Sequence, residues 1–459
     1  MLKTIQTFQQ NNEDKINLYL NHLLVVYMFL VPIAPNEYAV DFIFSLMFLL
    51  IAIRGNFLKY LKISLSHPIT RASLLMMSVF YIWMYGNSDT FWAEHMVFKY
   101  NHYFMYPFFF FLFLDYRFFE RLLTGLISGV MLSEILSYLM QFHIIPWGII
   151  KEVHMPWAED GVLNKIVFYR AWTNEPNPFL EHSLYSVLIA TTASILLYRF
   201  LADKKIEISK YINLLFFTTV SFNLFFTGGR TGYILYFMLI SYLIYFSIKT
   251  KLVTKKYIFT TISVPIIIAM TMYLNGGKFK ERIDHSLNVI HKIKNNTYDN
   301  KSSLGTRYEL QKAGLQLIKE NPFFGVGTAD QLSELRNNHD NKNNPIQGLL
   351  DVHNQYIDIL MQFGIIGFLV YLNFIYTVIK FKPIDKNRNT IKNITLIAML
   401  WSGFTEVFTY FYPVFFTALF VATTGNKKIL KNDIKSPTSK EVVIYITIAI
   451  LSYAYEQLQ

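Results

Sequence analysis

Long apolar runs alternate with short basic clusters along almost the whole chain. In an apolar medium every backbone polar group must be satisfied internally, so a chain patterned this way is confined to helices wherever lipid surrounds it. A bilayer-crossing helix needs roughly 20 apolar residues, within a range of about 17–25. The candidate runs are residues 16–33, 38–53, 72–85, 103–114, 122–142, 184–201, 212–226, 233–248, 257–274, 356–379, 394–408 and 412–424, of which 103–114 and 412–424 are notably short. A further run, 442–453, reads either as another span or as a helix lying in the interface. The expected fold is all-α, a polytopic membrane bundle of about 12 spans.

Composition supports a membrane class. Charged residues make up only 16% of the chain, against about a quarter in a globular protein. Phe, Tyr and Trp reach 17%, which suits helices anchored at membrane interfaces. The net charge of +11 raises the question of a nucleic-acid partner. The basic residues are split between apolar runs and form no continuous stripe, so none is expected. With no cysteine, thiolate chemistry and disulfides drop out.

Basic residues should collect in short loops on the cytoplasmic side. Arg54, Lys59, Lys62 and Arg71 follow the second run, Arg117 and Arg121 the fourth, Arg199 and Lys204 the sixth, Lys249 and Lys255 the eighth, Lys380 and Lys386 the tenth. The intervening loops carry fewer basic residues. One orientation follows, with the N-terminus cytoplasmic and the first run retained in the mature protein. The expected organisation is a membrane part at 1–274 with an outer loop near 143–180, a helical periplasmic loop at 275–353, further spans at 354–425, and a cytoplasmic tail at 426–459. In the polar segment, Phe279, Ile283, Leu287, Ile290 and Ile293 recur at helical spacing. So do Leu310, Ala313, Leu317 and Ile318, after a cap expected at Thr306 and before the Asn321-Pro322 break.

Three basic side chains fall at the outer boundary of this topology. Arg230 lies in Thr227-Gly228-Gly229-Arg230-Thr231-Gly232, a tight turn whose glycines let backbone donors approach an anion. Its guanidinium is a planar fork matched to phosphate oxygens, although a hairpin arginine also snorkels to headgroups. Arg307 is expected to open the second outer helix, whose free N–H groups favour an anion; the plain alternative is a solvated arginine. His353, before Asn354-Gln355-Tyr356, has a reference pKa of about 6.5 and can accept a proton near neutrality; a polar cap is the competing reading. In Tyr169-Arg170-Ala171-Trp172-Thr173-Asn174-Glu175-Pro176, Arg170 and Glu175 can bind sugar hydroxyls or simply connect two elements. No histidine pair at metal-binding spacing and no phosphate-binding P-loop occurs. No metal or cofactor is expected, and the donor must bring its own energy.

The Thr227–Gly232 turn, Arg307 followed by Asn321-Pro322-Phe323-Phe324-Gly325-Val326-Gly327, and His353-Asn354-Gln355-Tyr356 running to Gly364 and Gly367 together resemble the O-antigen ligase / O-antigen polymerase superfamily. The resemblance implies an all-helical, metal-independent glycosyltransferase of the bacterial inner membrane. Its donor would be a glycan on undecaprenyl diphosphate and its acceptor a lipid A-core hydroxyl, at the periplasmic face. By the same resemblance Arg230 and Arg307 hold the diphosphate, and His353 orients or deprotonates the acceptor. Arg170, Glu175, Asn354 and Tyr356 are candidate acceptor or sugar contacts. A polymerase joining carrier-linked repeat units uses the same donor chemistry and is the alternative. A non-catalytic transporter of lipid-linked glycans would instead place its charges near mid-membrane.

Overall fold

The computed structural model describes residues 2–33, 38–84, 93–94, 97, 104–145, 152–154, 167–170, 177–202, 207–251, 255–295, 297, 302–337, 352–407, 419–423, 428–431 and 438–458. They are overwhelmingly helical. The helices are α1 (Leu2–Leu30), α2 (Tyr38–Arg54), α3 (Phe57–Leu65), α4 (Pro68–Ile82), α5 (Tyr106–Phe110), α6 (Phe119–Gln141), α7 (His182–Ala202) and α8 (Glu207–Phe226). They continue with α9 (Arg230–Lys249), α10 (Lys255–Leu274), α11 (Lys278–Lys294), α12 (Ser303–Glu320), α13 (Gln331–Asn337), α14 (Gln355–Lys380), α15 (Lys386–Ser402) and α16 (Ser439–Leu458). One departure from all-α is an antiparallel pair inside the predicted outer loop, β1 (Glu152–His154) and β2 (Val167–Arg170).

Most predicted runs are helices, but their number as clean crossings is smaller than expected. Among the described residues four helices are long and apolar enough to cross a membrane: Tyr116–Gln141, His182–Ala202, Arg230–Lys249 and Gln355–Lys380. Counting two sharply bent pairs, Val40–Arg54 with Phe57–Leu65 and Ile262–Leu274 with Lys278–Lys294, gives six. The predicted span 103–114 is not one helix: α5 has five residues, and Phe111–Phe113 form a turn. Its aromatic residues instead fill the core, where Phe110 stacks against Phe44 at 5.9 Å and meets Tyr27 and Phe113 edge-on or tilted. The predicted span 394–408 is offset, since α15 starts at Lys386 and ends at Ser402 before a turn. The run 412–424 lies mostly outside the described residues. The run 442–453 is helical within α16, which packs along α2 and α1.

Arg54, expected in a short loop on the cytoplasmic side, is fully buried. Its Nη1 donates to Asn17 Oδ1 at 2.7 Å and to Leu112 O at 2.9 Å, and its guanidinium lies 3.5 Å from the centre of the Tyr60 ring. A cation removed from water must be paired in this way to be tolerated; this one ties α1, α2, α3 and the turn after α5 together.

The polar segment after α10 has its own small core, built from Leu310, Ala313 and Leu317 of α12, Leu332 and Leu335 of α13, and Met361 of α14. The cap of α12 is Ser302, whose Oγ accepts from Gly305 N at 3.1 Å, not Thr306. Arg307 therefore sits more than a turn inside the helix. The expected contribution of free helix-start N–H groups at that position does not apply, because those groups lie within the first turn.

A break in α14 joins this unit to the bundle. Gly364 has φ 58° and ψ −162°, a conformation essentially closed to residues with a Cβ. The Pro322–Gly327 loop takes up backbone groups freed by the break. Val326 N donates to Met361 O and Gly327 N to Gln362 O, both at 2.9 Å, and Ile365 N donates to Pro322 O at 2.9 Å. A broken helix is tolerated at membrane depth when protein re-satisfies the backbone in this manner. Up to Gly364 no residue of α14 is exposed; beyond it Ile365, Ile366, Leu369 and Leu372 form an outward apolar face.

Candidate active site

A cavity of about 510 Å³ opens between α9, α11, α12 and the start of α14. Its polar wall carries Arg230, Arg282, Arg307 and His353; its apolar wall carries Ile283, Leu287 and Ile290 of α11. The described lining holds three arginines and no carboxylate. The acid lies just behind it. Glu406, in the turn after α15, accepts from Arg307 Nη2 on Oε1 at 2.7 Å and meets His353 Nδ1 with Oε2 at 2.8 Å. The Arg307 Nη1 donates to Thr405 O at 3.1 Å.

Burial makes this arrangement strong. The Glu406 side chain is 4% exposed, against 23% for Arg307 and 24% for His353. An ionised carboxylate at that depth needs its charged partners, and removing one partner of such a buried pair is costly. With Glu406 as acceptor, His353 Nδ1 carries a ring proton, which in the neutral ring leaves the lone pair on Nε2. The carboxylate thus orients the imidazole and selects the tautomer of its neutral form.

Local sequence explains why His353 stands where it does. Its φ is +51°, in the left-handed region that histidine enters more readily than most side chains. Asn354 follows as the cap of α14, with Oδ1 accepting from Tyr356 N at 3.0 Å and Ile357 N at 3.1 Å. Gln355 N donates to Gly403 O at 2.7 Å, and Tyr356 Oη donates to Leu400 O at 2.7 Å. These bonds lock the start of α14 to the end of α15, which places His353 and Glu406 side by side. The side chains of Asn354 and Tyr356 are thus engaged in the frame of the site.

Arg230 is the first residue of α9, after a three-residue turn from α8. The glycines of this turn permit close helix packing. A Cβ on Gly232 would lie 2.5 Å from Ser186 Cβ, and one on Gly229 would lie 2.6 Å from His182 O, so α9 can abut α7 only with glycine there. Arg230 Nη1 donates to Ser286 Oγ on α11 at 3.3 Å. Thr231 Oγ1 donates to Thr405 Oγ1 at 3.0 Å, and Trp401 Nε1 donates to Thr231 O at 3.0 Å, which ties this turn to the one bearing Glu406. Both Arg282 and Arg307 repel Arg230 electrostatically. Like charges gathered around a cavity are relieved by an anion. At an effective dielectric near 20, each charge pair about 4 Å apart contributes ~4 kcal/mol.

Arg230, Arg307 and His353, singled out from three separate sequence motifs, line one cavity. Arg170 lies in β2, its backbone opposite Glu152, and Glu175 lies outside the described residues. Sequence reasoning missed two residues. Arg282 was hidden among the many basic positions of α11. Glu406 had a usable signal, a lone carboxylate inside an apolar run, which by default marks a functional position.

A family model described as O-antigen ligase matches residues 214–372, which contain Arg230, Arg282, Arg307 and His353. An uncharacterized protein of Haemophilus influenzae is 27% identical over 170 residues, covering 36% of this chain and 41% of that protein. The aligned region thus spans about two-fifths of this relative's length.

Proposed function

We propose, from the match of residues 214–372 to a family model described as O-antigen ligase, that this chain is a membrane glycosyltransferase of the ligase type. Its donor is a glycan carried on undecaprenyl diphosphate, and its acceptor is a hydroxyl of lipid A-core. The site faces the periplasm from the bacterial inner membrane, with the N-terminus cytoplasmic.

Glu406, bonded to both Arg307 and His353, is the observation that carries this proposal. It couples an anion-binding group to a base across one carboxylate. The diphosphate sits against Arg230, Arg282 and Arg307, and the carrier chain runs along the apolar wall of α11. The acceptor oxygen attacks the anomeric carbon while the bond from that carbon to the diphosphate oxygen breaks. The bond's electron pair leaves with undecaprenyl diphosphate, whose developing charge the arginines offset. The acceptor proton passes to His353 Nε2, and Glu406 stabilises the imidazolium that forms. Neither a nucleotide nor a metal ion enters these steps.

Lipopolysaccharide from a deletion strain tests the choice of acceptor. Loss of all polymer with carrier-linked glycan accumulating is the ligase outcome. Loss of the chain-length ladder with single-unit attachment kept would replace it by the polymerase outcome.

A further inference from the structure

One wall of the cavity is not accounted for by charge or by aliphatic surface. Leu304, Arg307, Tyr308 and Gln311 of α12 line it at the i, i+3, i+4 and i+7 spacing of a single helix face. Gln311 therefore stands one turn beyond Arg307, about 6 Å along the axis. Beyond it again is Gly314, where an added Cβ would lie 2.8 Å from Ile357 Cγ2. That close approach presses α12 against α14, so α14 backs the wall that bears Gln311.

The neutral polar groups of the lining are of two kinds. Four hydroxyls already donate to the protein: Thr231 to Thr405 Oγ1 at 3.0 Å, Thr405 to Ser402 O at 3.2 Å, Ser286 to Arg282 O at 2.6 Å, and Tyr233 to Thr227 O. Gln311 is different. Among the described residues its amide bonds to no other group. An amide carries two donors and a carbonyl acceptor, and the acceptor is the informative half. Diphosphate oxygens and an isoprenoid chain have no hydrogen to donate, so neither part of the carrier satisfies the Gln311 carbonyl. A sugar hydroxyl does. Tyr308, its neighbour on the same face, is 42% exposed and sets an aromatic surface beside the amide. A pyranose has an apolar C–H face and a hydroxylated rim, which an aromatic body next to an amide matches.

We propose that Gln311 and Tyr308 form the subsite for the sugar joined directly to the diphosphate, with a ring hydroxyl donating to the Gln311 carbonyl and the C–H face of the pyranose against the Tyr308 ring. The proposal rests on the reading of this cavity as the glycosyl-transfer site. With the diphosphate at Arg307, one helical turn is the distance that a single sugar ring has to span. The bond that breaks is then held from both sides, by the arginines through the diphosphate and by α12 through the sugar. Holding both ends orients the anomeric carbon toward the acceptor. A neutral amide reads the position of a hydroxyl and not charge, so this subsite selects among neutral sugars.

The test measures the affinity of full-length protein in detergent micelles for two ligands, the undecaprenyl diphosphate-linked glycan purified from the same cells and undecaprenyl diphosphate alone. Wild type should bind the first more tightly. Gln311→Leu and Tyr308→Ala should each weaken binding of the glycan-linked ligand by roughly three- to tenfold, the range expected for one or two neutral hydrogen bonds. Affinity for the bare carrier should stay at the wild-type value, which also shows that each variant is folded. Tyr308→Phe keeps the ring and should bind both ligands as wild type does. Equal losses for the two ligands, or no loss for either, would overturn the subsite and leave the reading of the cavity standing. Wild-type protein that binds neither ligand, or Arg307→Ala protein that binds both as tightly as wild type, would overturn that reading and the subsite with it.

Discussion

His353 Nδ1 lies 2.8 Å from Glu406 Oε2, across 53 residues of sequence. The other oxygen of the same carboxylate accepts from Arg307 at 2.7 Å, so one buried acid positions both the imidazole and the guanidinium that face the cavity.

Replacing that acid should therefore damage chemistry more than binding. Glu406→Gln keeps the shape but removes the charge that sets the His353 tautomer and stabilises its protonated form. A loss of about 10²–10⁴-fold in kcat is expected, the usual contribution of a positioned base, with a smaller change in KM for the lipid-linked donor. Steady-state transfer assays separate the two constants. An effect confined to KM would remove Glu406 from the proton path.

Arg282 faces the same cavity as Arg230 and Arg307. Its removal should weaken donor binding by roughly tenfold, about 1.4 kcal/mol, while Arg282→Lys recovers part of the loss because it keeps a point charge without the planar fork. Binding of the lipid-diphosphate donor to detergent-solubilised variants reads this directly. Equal affinity for wild type and Arg282→Ala would place the diphosphate elsewhere.

Gly364→Ala should fail structurally. A Cβ there would lie 2.6 Å from Phe324 N, in a backbone conformation with φ 58°; strain of this kind costs on the order of 1–3 kcal/mol before the clash is counted. Low yield of monodisperse protein and a depressed Tm are expected. Gly277→Ala is the matched control, since nothing lies within 4 Å of its added Cβ, and it should behave as wild type.

Asp115 predicts a pH dependence of stability. Burial pushes its carboxyl upward, yet the Arg117 guanidinium and the N–H groups of Leu430, Arg117 and Ile429 hold it below the usual carboxylate range. A depressed carboxyl contributes stability that is present above its unfolded value of about 3.9 and is lost as pH falls through the folded value. Wild type should exceed Asp115→Asn in denaturation experiments at neutral pH, and the gap should close in acid. A gap that is constant with pH would contradict this assignment.

The helices were legible because apolar runs of near-spanning length have few alternatives. The run at 103–114 misled because Phe-rich segments satisfy hydropathy equally well as core filling, and α5 is used that way. Arg230, Arg307 and His353 were recoverable because each lies beside glycine- or asparagine-marked backbone. Glu406 offered only the signal of a lone carboxylate in a run read as a membrane span, and its meaning depends on contacts with α12 and α14. The break at Gly364 was equally hidden. A single glycine in an apolar helix is common, and only the Pro322–Gly327 loop, distant in sequence, shows what this one accommodates.

Transfer of glycan from a purified undecaprenyl diphosphate donor to lipid A-core, without nucleotide and with purified protein, addresses the central claim most directly. Wild type should form product, while His353→Ala and Arg307→Ala should fall by at least about 10²-fold. Product formed at wild-type rates by either variant would contradict the account.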